Sequence, residues 1–475
     1  MFMTRVATAV FLFHIVGQSA DWARFRGPNG AGVSENTGLP NQVGLTQNLI
    51  WRVAVPRGGS SPVVVGRRVF ITAHQETTQL ILCFEALTGQ LLWRRQVDKV
   101  RTGRQTSPND AATPTPVADD TAVYAFFPEF GLISYTHDGV ERWRVALGPF
   151  NPPHGMATSP ILADGNVLLA ADQVTASSIT AVRAADGKIA WKVDRPSFVG
   201  GYSTPVTYQP SRGPTQVVVS SPLELAAYSA ANGEKLWSAP RMGVMPIPVP
   251  VLGNGMFFVN NGAVPPFADL AVTFKADKNG DGRITPDEFP DPAFREAVRA
   301  IDQDRGNGDG AIDAAEWNGW LKLLDGLNAL VAVRPPGADL GASEAWRVTQ
   351  RLSDVPSPIF YRGHLYVVKD GGILTSLNPL TGEFRKQIRL NGALDKYFAS
   401  PVAGDGKLYL TGQSGKIATV RAGPEPELIA LSDLNEECYA TPAIANRGLY
   451  IRTSEALYYF ALKGKAVRKT RQAPA

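Results

Sequence analysis

One triplet recurs along this chain and dictates most of its architecture. A hydroxyl residue, a proline and an aliphatic residue stand at Ser61-Pro62-Val63, Thr115-Pro116-Val117, Ser159-Pro160-Ile161 and Thr204-Pro205-Val206. The pattern returns at Ser357-Pro358-Ile359, Ser400-Pro401-Val402 and Thr441-Pro442-Ala443, with Val249-Pro250-Val251 as a variant. Successive prolines lie 54, 44, 45, 45, 108, 43 and 41 residues apart. A period of about 40–45 residues is that of a four-stranded propeller blade. The one long interval marks an insertion.

A second motif, Gly-x-x-x-Trp, puts its tryptophan 27 to 32 residues after the proline, at Trp93, Trp143, Trp191 and Trp237. Asp138-Gly139, Asp186-Gly187 and Asn232-Gly233 are hairpin-turn signals between two strands. Each Trp then falls on an outer strand, where a large ring can fill the space between blades. Trp346 holds this place in the fifth repeat, and Lys386 replaces it in the sixth. Eight triplets predict eight blades. The eighth repeat ends after Leu457–Leu462 without an outer strand, whereas Leu49–Val53 is an outer-strand motif with no repeat of its own. Pairing the two would close the ring and remove free sheet edges.

The predicted fold is therefore all-β: an eight-bladed β-propeller closed by the N-terminal strand near 49–55, with a small helical insertion in the fifth blade. Propeller residues span 21–263 and 329–462, the insertion 264–328, and a basic tail 463–475. The 46 glycines and 36 prolines suit a chain that turns this often. A net charge of +4, from 47 basic and 43 acidic residues, excludes a nucleic-acid protein with a concentrated basic face. Two cysteines, Cys83 and Cys438, exclude cysteine zinc sites, iron–sulfur clusters and disulfide-dense scaffolds. Whether these two bond is open. At the N-terminus, Arg5, the apolar run Val6–Val16 and Gly17-Gln18-Ser19-Ala20 read as a cleavable signal peptide over 1–20. The expectation is a periplasmic or secreted protein with no membrane-spanning segment after cleavage.

The insertion carries the sharpest motif. Asp277, Asn279, Asp281, Gly282, Arg283, Thr285 and Glu288 stand at positions 1, 3, 5, 6, 7, 9 and 12 of an EF-hand loop. Side-chain oxygens, the Arg283 carbonyl and a bidentate Glu288 would supply the six to eight oxygens that calcium takes. A second loop keeps Asn307, Asp309, Gly310, Ala311, Ile312 and Glu316 in register, with Asp302 or Asp304 at position 1. Ile312 can pair with Ile284 across a short β-bridge. Phe294, Val298 and Ile301 before the second loop, and Trp317, Trp320, Leu321 and Leu324 after it, recur at helical spacing and read as the insertion's own core or its dock. In an exported protein such a module is a structural brace.

The residues just before each triplet should ring the mouth of the propeller channel. They are Arg57, Asn109, Asp110, His154, Tyr202, Lys396, Tyr397, Glu437 and Tyr439. Charged and aromatic groups together suit a ligand funnel, but no catalytic triad is recognisable among them.

Residues Ala86 to Trp93 (Ala-Leu-Thr-Gly-Gln-Leu-Leu-Trp) and Ala185 to Trp191 (Ala-Asp-Gly-Lys-Ile-Ala-Trp) resemble the pyrroloquinoline quinone (PQQ) repeat. The entry segment Asp21–Pro28 is similar to that of secreted PQQ-like proteins of environmental bacteria. The resemblance implies a propeller that serves either quinoprotein dehydrogenases or a non-enzymatic outer-membrane assembly lipoprotein. The dehydrogenases carry adjacent disulfide-linked cysteines over the cofactor and a carboxylate–amide set around calcium. This chain has no Cys-Cys pair and no motif matching that set. The expected function is an exported, calcium-binding PQQ-like propeller acting as a binding or scaffold protein for a protein or glycan partner. The alternative is a PQQ- and calcium-dependent dehydrogenase of alcohols or sugars. A carbohydrate-active enzyme is a third reading, for which no carboxylate pair stands out.

Overall fold

A computed structural model describes residues 21–463 except 77, 104, 151, 153, 174–175, 196–199, 262–269, 272–274, 290–291, 324–328 and 338–340. Within helices, the side chains of residues 292–294, 297, 304–305 and 322–323 also lie outside the described set. Residues 1–20, read above as a signal peptide, and the basic tail beyond Lys463 fall outside it as well.

Eight four-stranded antiparallel sheets form the blades of the propeller. In the first, Val63–Val65 is innermost and Arg68–Gln75, Thr78–Glu85 and Leu91–Asp98 follow outward. The innermost strands are short because proline precedes each and cannot donate to a ladder. In the eighth blade, Ala443–Ala445, Gly448–Arg452 and Ala456–Ala461 are completed by Leu49–Ala54. That strand runs antiparallel to Ala456–Ala461, with Trp51 opposite Tyr459 and Ala54 opposite Ala456. The closing strand is thus where the spare motif puts it.

The Trp and Gly motifs join different blades. The Trp143 indole donates to the Ala184 carbonyl of the next blade at 2.9 Å, and the Gly187 turn lies against its ring. Trp51 on Gly89, Trp93 on Gly139, Trp191 on Gly233 and Trp346 on Gly382 repeat the contact. Gly187 has φ +75°, and a Cβ there would sit 2.9 Å from the Trp143 ring. Both facts require glycine.

The hydroxyl of the triplet has a role that spacing does not reveal. The N–H of Ser61 donates to Thr115 Oγ1 at 2.9 Å, that of Thr115 to Ser159 Oγ at 3.0 Å, and that of Ser159 to Thr204 Oγ1 at 3.0 Å. Val249, Ser357, Ser400 and Thr441 continue the series, and Thr441 returns to Ser61 Oγ. Hydroxyls at the channel therefore lace each blade to the next. The lacing lacks an acceptor only at Val249, which has no hydroxyl.

Residues 21–44 do more than lead into the ring. Trp22 pairs with Val64 of blade 1, and the Ala23 carbonyl accepts the Ala118 N–H of blade 2. Asn29 bonds Thr207 of blade 4 through both ends of its amide. Arg26 donates to the Pro358 carbonyl of blade 6 at 2.9 Å, and Val33 bridges to Ala403 of blade 7. The segment crosses the ring beneath the innermost strands and stoppers the channel. Arg24 and Arg26 are buried in it, with backbone carbonyl acceptors and no carboxylate partner among the described residues. Burial pulls both guanidinium groups down to about 9.

The helices α1 (Pro292–Arg305) and α2 (Ala314–Leu323) fall in sequence between Met256–Asn260 and Leu330–Arg334, the second and third strands of the fifth sheet. They share a small core of their own, in which Val298, Ile301, Ile284, Ile312 and Trp317 are buried and Trp320 and Leu321 pack. The Phe294 side chain and Leu324 lie outside the described set.

Candidate functional site

The stoppered channel leaves a cavity of about 260 Å³ at its open end. Its wall is the hydroxyl lacing: Ser61, Thr115, Ser159, Thr204, Ser357, Ser400 and Thr441 all line it. Phe25 of the N-terminal segment reaches in from the closed side. The loops before the innermost strands add Asn109, His154, Tyr202, Phe398 and Tyr439, with apolar Ile247 and Val355. Among the described residues, no Asp, Glu, Lys or Arg side chain lines it.

The rings come as two pairs. His154 and Tyr202 have centroids 5.8 Å apart, and Phe398 and Tyr439 are 5.5 Å apart. The first pair precedes blades 3 and 4, the second blades 7 and 8. In a ring of eight these positions are diametrically opposed. The Asn109 amide donates to the His154 carbonyl at 3.1 Å, and the Gln413 amide donates to the Tyr439 hydroxyl at 3.0 Å, which anchors one member of each pair.

Of the residues named from sequence, His154, Tyr202, Tyr439 and Asn109 meet in this cavity. The others do not line it. Tyr397 turns into the core, 2% exposed, and donates its hydroxyl to the Ala393 carbonyl; its neighbour Phe398 faces the channel instead. Asp110 is pinned by the N–H groups of Ala112 at 2.8 Å and Gly59 at 3.3 Å, with His74 at 3.6 Å. Burial alone would raise its carboxyl, but His74, the Ala112 N–H and nearby Arg452 outweigh that and hold it below the usual range. Arg57 supplies a carbonyl to the His74 N–H. Glu437 lies on a separate shallow concavity with Asp395, Gln413 and Ser414. Lys396 supplies a carbonyl to the Gln413 N–H. Phe25 and the hydroxyl lacing were not singled out as lining. The aromatic-rich entry segment was the available signal for Phe25.

Cys83 and Cys438 are both free and fully buried. Burial pushes each thiol up to about 12, so neither is a nucleophile at neutral pH.

In the insertion, the first loop turns its carboxylates inward. Asp277 accepts the N–H groups of Gly280, Asp281 and Gly282, and Glu288 accepts those of Lys278, Asn279 and Thr285. In the second loop Asp302 accepts the Gly310 N–H at 2.9 Å, as Asp277 accepts that of Gly282 at 3.0 Å. Asp302 thus stands in this loop as Asp277 stands in the first, with more residues between it and the glycine. The Asp304 side chain lies outside the described residues. Glu316 accepts from Asn307 and Asp313 as Glu288 does in the first loop. Ile284 and Ile312 exchange backbone bonds at 2.9 Å, and Arg283 of one loop pairs with Asp309 of the other. Among the described residues, no three His, Cys, Asp or Glu side chains already converge as a finished metal site. The donor set nonetheless has the hard-oxygen chemistry of a calcium loop.

A family model described as outer membrane protein assembly factor BamB matches residues 77–243 and 297–471, more than half of the chain. An EF-hand model matches 275–289. No curated protein sequence matches significantly. Among solved structures, BamB from Moraxella catarrhalis superposes with a TM-score of 0.57 at 12% identity, over 88% of this chain and 98% of that one. A quinohemoprotein alcohol dehydrogenase from Pseudomonas putida gives 0.57 at 12%, over 96% and 82%. A europium-containing methanol dehydrogenase gives 0.57 at 11%, over 93% and 98%. At such identities the likeness shows the fold alone, and that fold is shared by an assembly factor and by redox enzymes.

Proposed function

The chain belongs to the PQQ-repeat propeller family of the assembly factor BamB, and from that membership we propose that it is an exported binding protein rather than a quinoprotein enzyme. The observation that carries this reading is that no Asp, Glu, Lys or Arg stands among the described residues lining the channel cavity. PQQ, the cofactor of part of the fold family, is a planar quinone bearing three carboxylates. Burying those charges demands cations or a metal. The cavity's described lining offers hydroxyls, one amide, one imidazole and aromatic rings, and both cysteines are sealed away as unreactive thiols. The residues described do not fit the quinone.

The insertion braces the fifth blade with calcium. Asp277, Asn279, Asp281, the Arg283 carbonyl, Thr285 and Glu288 hold one ion. Asp302, Asn307, Asp309, the Ala311 carbonyl and Glu316 hold another. The cation would supply charge neutralisation and stiffness, with affinity in the roughly 10⁻⁴ to 10⁻³ M range of extracellular modules. Export agrees with the apolar N-terminal segment and with the outer-membrane setting in BamB's own description. A protein partner, as befits an assembly factor, or a glycan would be the ligand.

Purified protein supplied with PQQ and calcium, then offered alcohols and hexoses with an artificial electron acceptor, tests the reading. No turnover above a protein-free blank is expected, and sustained dye reduction would overturn it. Calcium calorimetry should saturate in the millimolar range and lose one site in Glu288→Gln. Absence of saturable heat at 10-fold above about 1 mM would remove the brace.

A further inference from the structure

We propose that the channel cavity is a dead-end site for one neutral sugar ring, the terminal unit of an uncharged saccharide; this rests on the binding reading above. Four observations converge on that ligand class.

The first is charge. With no Asp, Glu, Lys or Arg among the described lining residues, and His154 the only base there, a charged ligand would lose most of its hydration without compensation. The second is the opposed aromatic pairs, His154 with Tyr202 and Phe398 with Tyr439. A pyranose has two C–H faces, which pack on rings, and an edge of hydroxyls, which do not. Rings on two opposite walls match the faces. The third is the polar complement between them. Thr106, Ser107, Asn109 and Thr113 lie on the rim between blades 1 and 3, where the hydroxyl edge of such a ring would meet them. The few polar groups of a mostly apolar pocket set the orientation of its ligand.

The fourth observation is size and closure. The cavity, at about 260 Å³, lies just under the roughly 300–1,000 Å³ of pockets that bury a drug-sized ligand. Phe25 shuts the inner end, held by the segment that hydrogen-bonds beneath the innermost strands. A chain cannot thread through. Only an end unit can enter, so the site distinguishes termini from the interior of a polymer.

The test uses the full folded chain with calcium and saturation-transfer NMR against glucose, galactose, cellobiose and maltose, with glucuronate as the charged probe. Saturable transfer is expected for at least one neutral sugar, confined in a disaccharide to one terminal ring and absent for glucuronate. Phe398→Ala and Tyr202→Ala should each weaken it at least 10-fold, and Tyr202→Phe should retain it. Near-ultraviolet circular dichroism separates lost binding from lost folding. Because Tyr202 is largely buried, the half-buried Phe398 is the decisive variant. No transfer from any neutral sugar, or transfer unchanged in folded Phe398→Ala, overturns the proposal while the binding reading stands. Dye-linked oxidation of the sugar would instead overturn the binding reading itself.

Discussion

Replacing Ser159 by alanine cuts one link of the hydroxyl lacing and spares the rest. Ser159 is 2% exposed, and its Oγ accepts the Thr115 N–H at 3.0 Å. Its own N–H still donates to Thr204 Oγ1. The mutation leaves a buried backbone donor without an acceptor, which costs about 1–3 kcal/mol. The missing oxygen is too small to open a void that matters. Unfolding entropy grows with length, so in a chain of this size about 2 kcal/mol lowers the midpoint by only on the order of 2 °C. Denaturant titration followed by tryptophan fluorescence is the better assay. Ser211→Ala is the control, because Ser211 is exposed and should change stability by less than about 0.5 kcal/mol. If Ser159→Ala unfolds with the control, the lacing does not hold the blades together. Val249→Thr provides the converse, since it offers Thr204 the acceptor this blade lacks. A gain of up to about 1 kcal/mol is expected.

Trp51→Ala should cost about 3–5 kcal/mol, because it empties the seam between the last blade and the first; thermal unfolding of the variant checks this. Gly187→Ala forces a Cβ into the Trp143 ring at positive φ, so it should destabilise by more than the roughly 1 kcal/mol of an unstrained glycine change. Thiol titration should find no reactive cysteine in the native protein and two in denaturant, since both thiols are buried and pushed up to about 12; native labelling would contradict that packing. The Asp110 carboxyl sits below its ordinary value, so its stabilising contribution is present above pH about 4 and fades as pH falls through the folded value. The stability gap between wild type and Asp110→Asn should therefore shrink between pH 6 and pH 3, as read from urea unfolding.

The propeller was legible because its signals are local and periodic. Proline marks each innermost strand, Gly-x-x-x-Trp marks each outer one, and the orphan motif at Leu49–Val53 announced its own partner. The lacing was visible only as composition: the hydroxyls were in the pattern, but their acceptor role spans 41 to 108 residues between successive blades and 380 where the ring closes. The stopper carries no periodicity at all. Its arginines bond to backbone carbonyls, which any sequence offers. At the rim, proximity to a triplet found His154, Tyr202 and Tyr439 but chose Tyr397 over Phe398. Adjacent side chains of an extended segment point to opposite sides, and position alone does not say which faces the channel. In the second EF-like loop, spacing left Asp302 and Asp304 equal; the Gly310 N–H reaches Asp302, as the Gly282 N–H reaches Asp277 in the first loop.

The most direct test of the central claim is a calorimetric titration of the calcium-loaded protein with PQQ. A dead-end cavity with no Asp, Glu, Lys or Arg among its described lining residues predicts no saturable heat. Saturable one-to-one binding would contradict the account and return the protein to the quinoprotein enzymes.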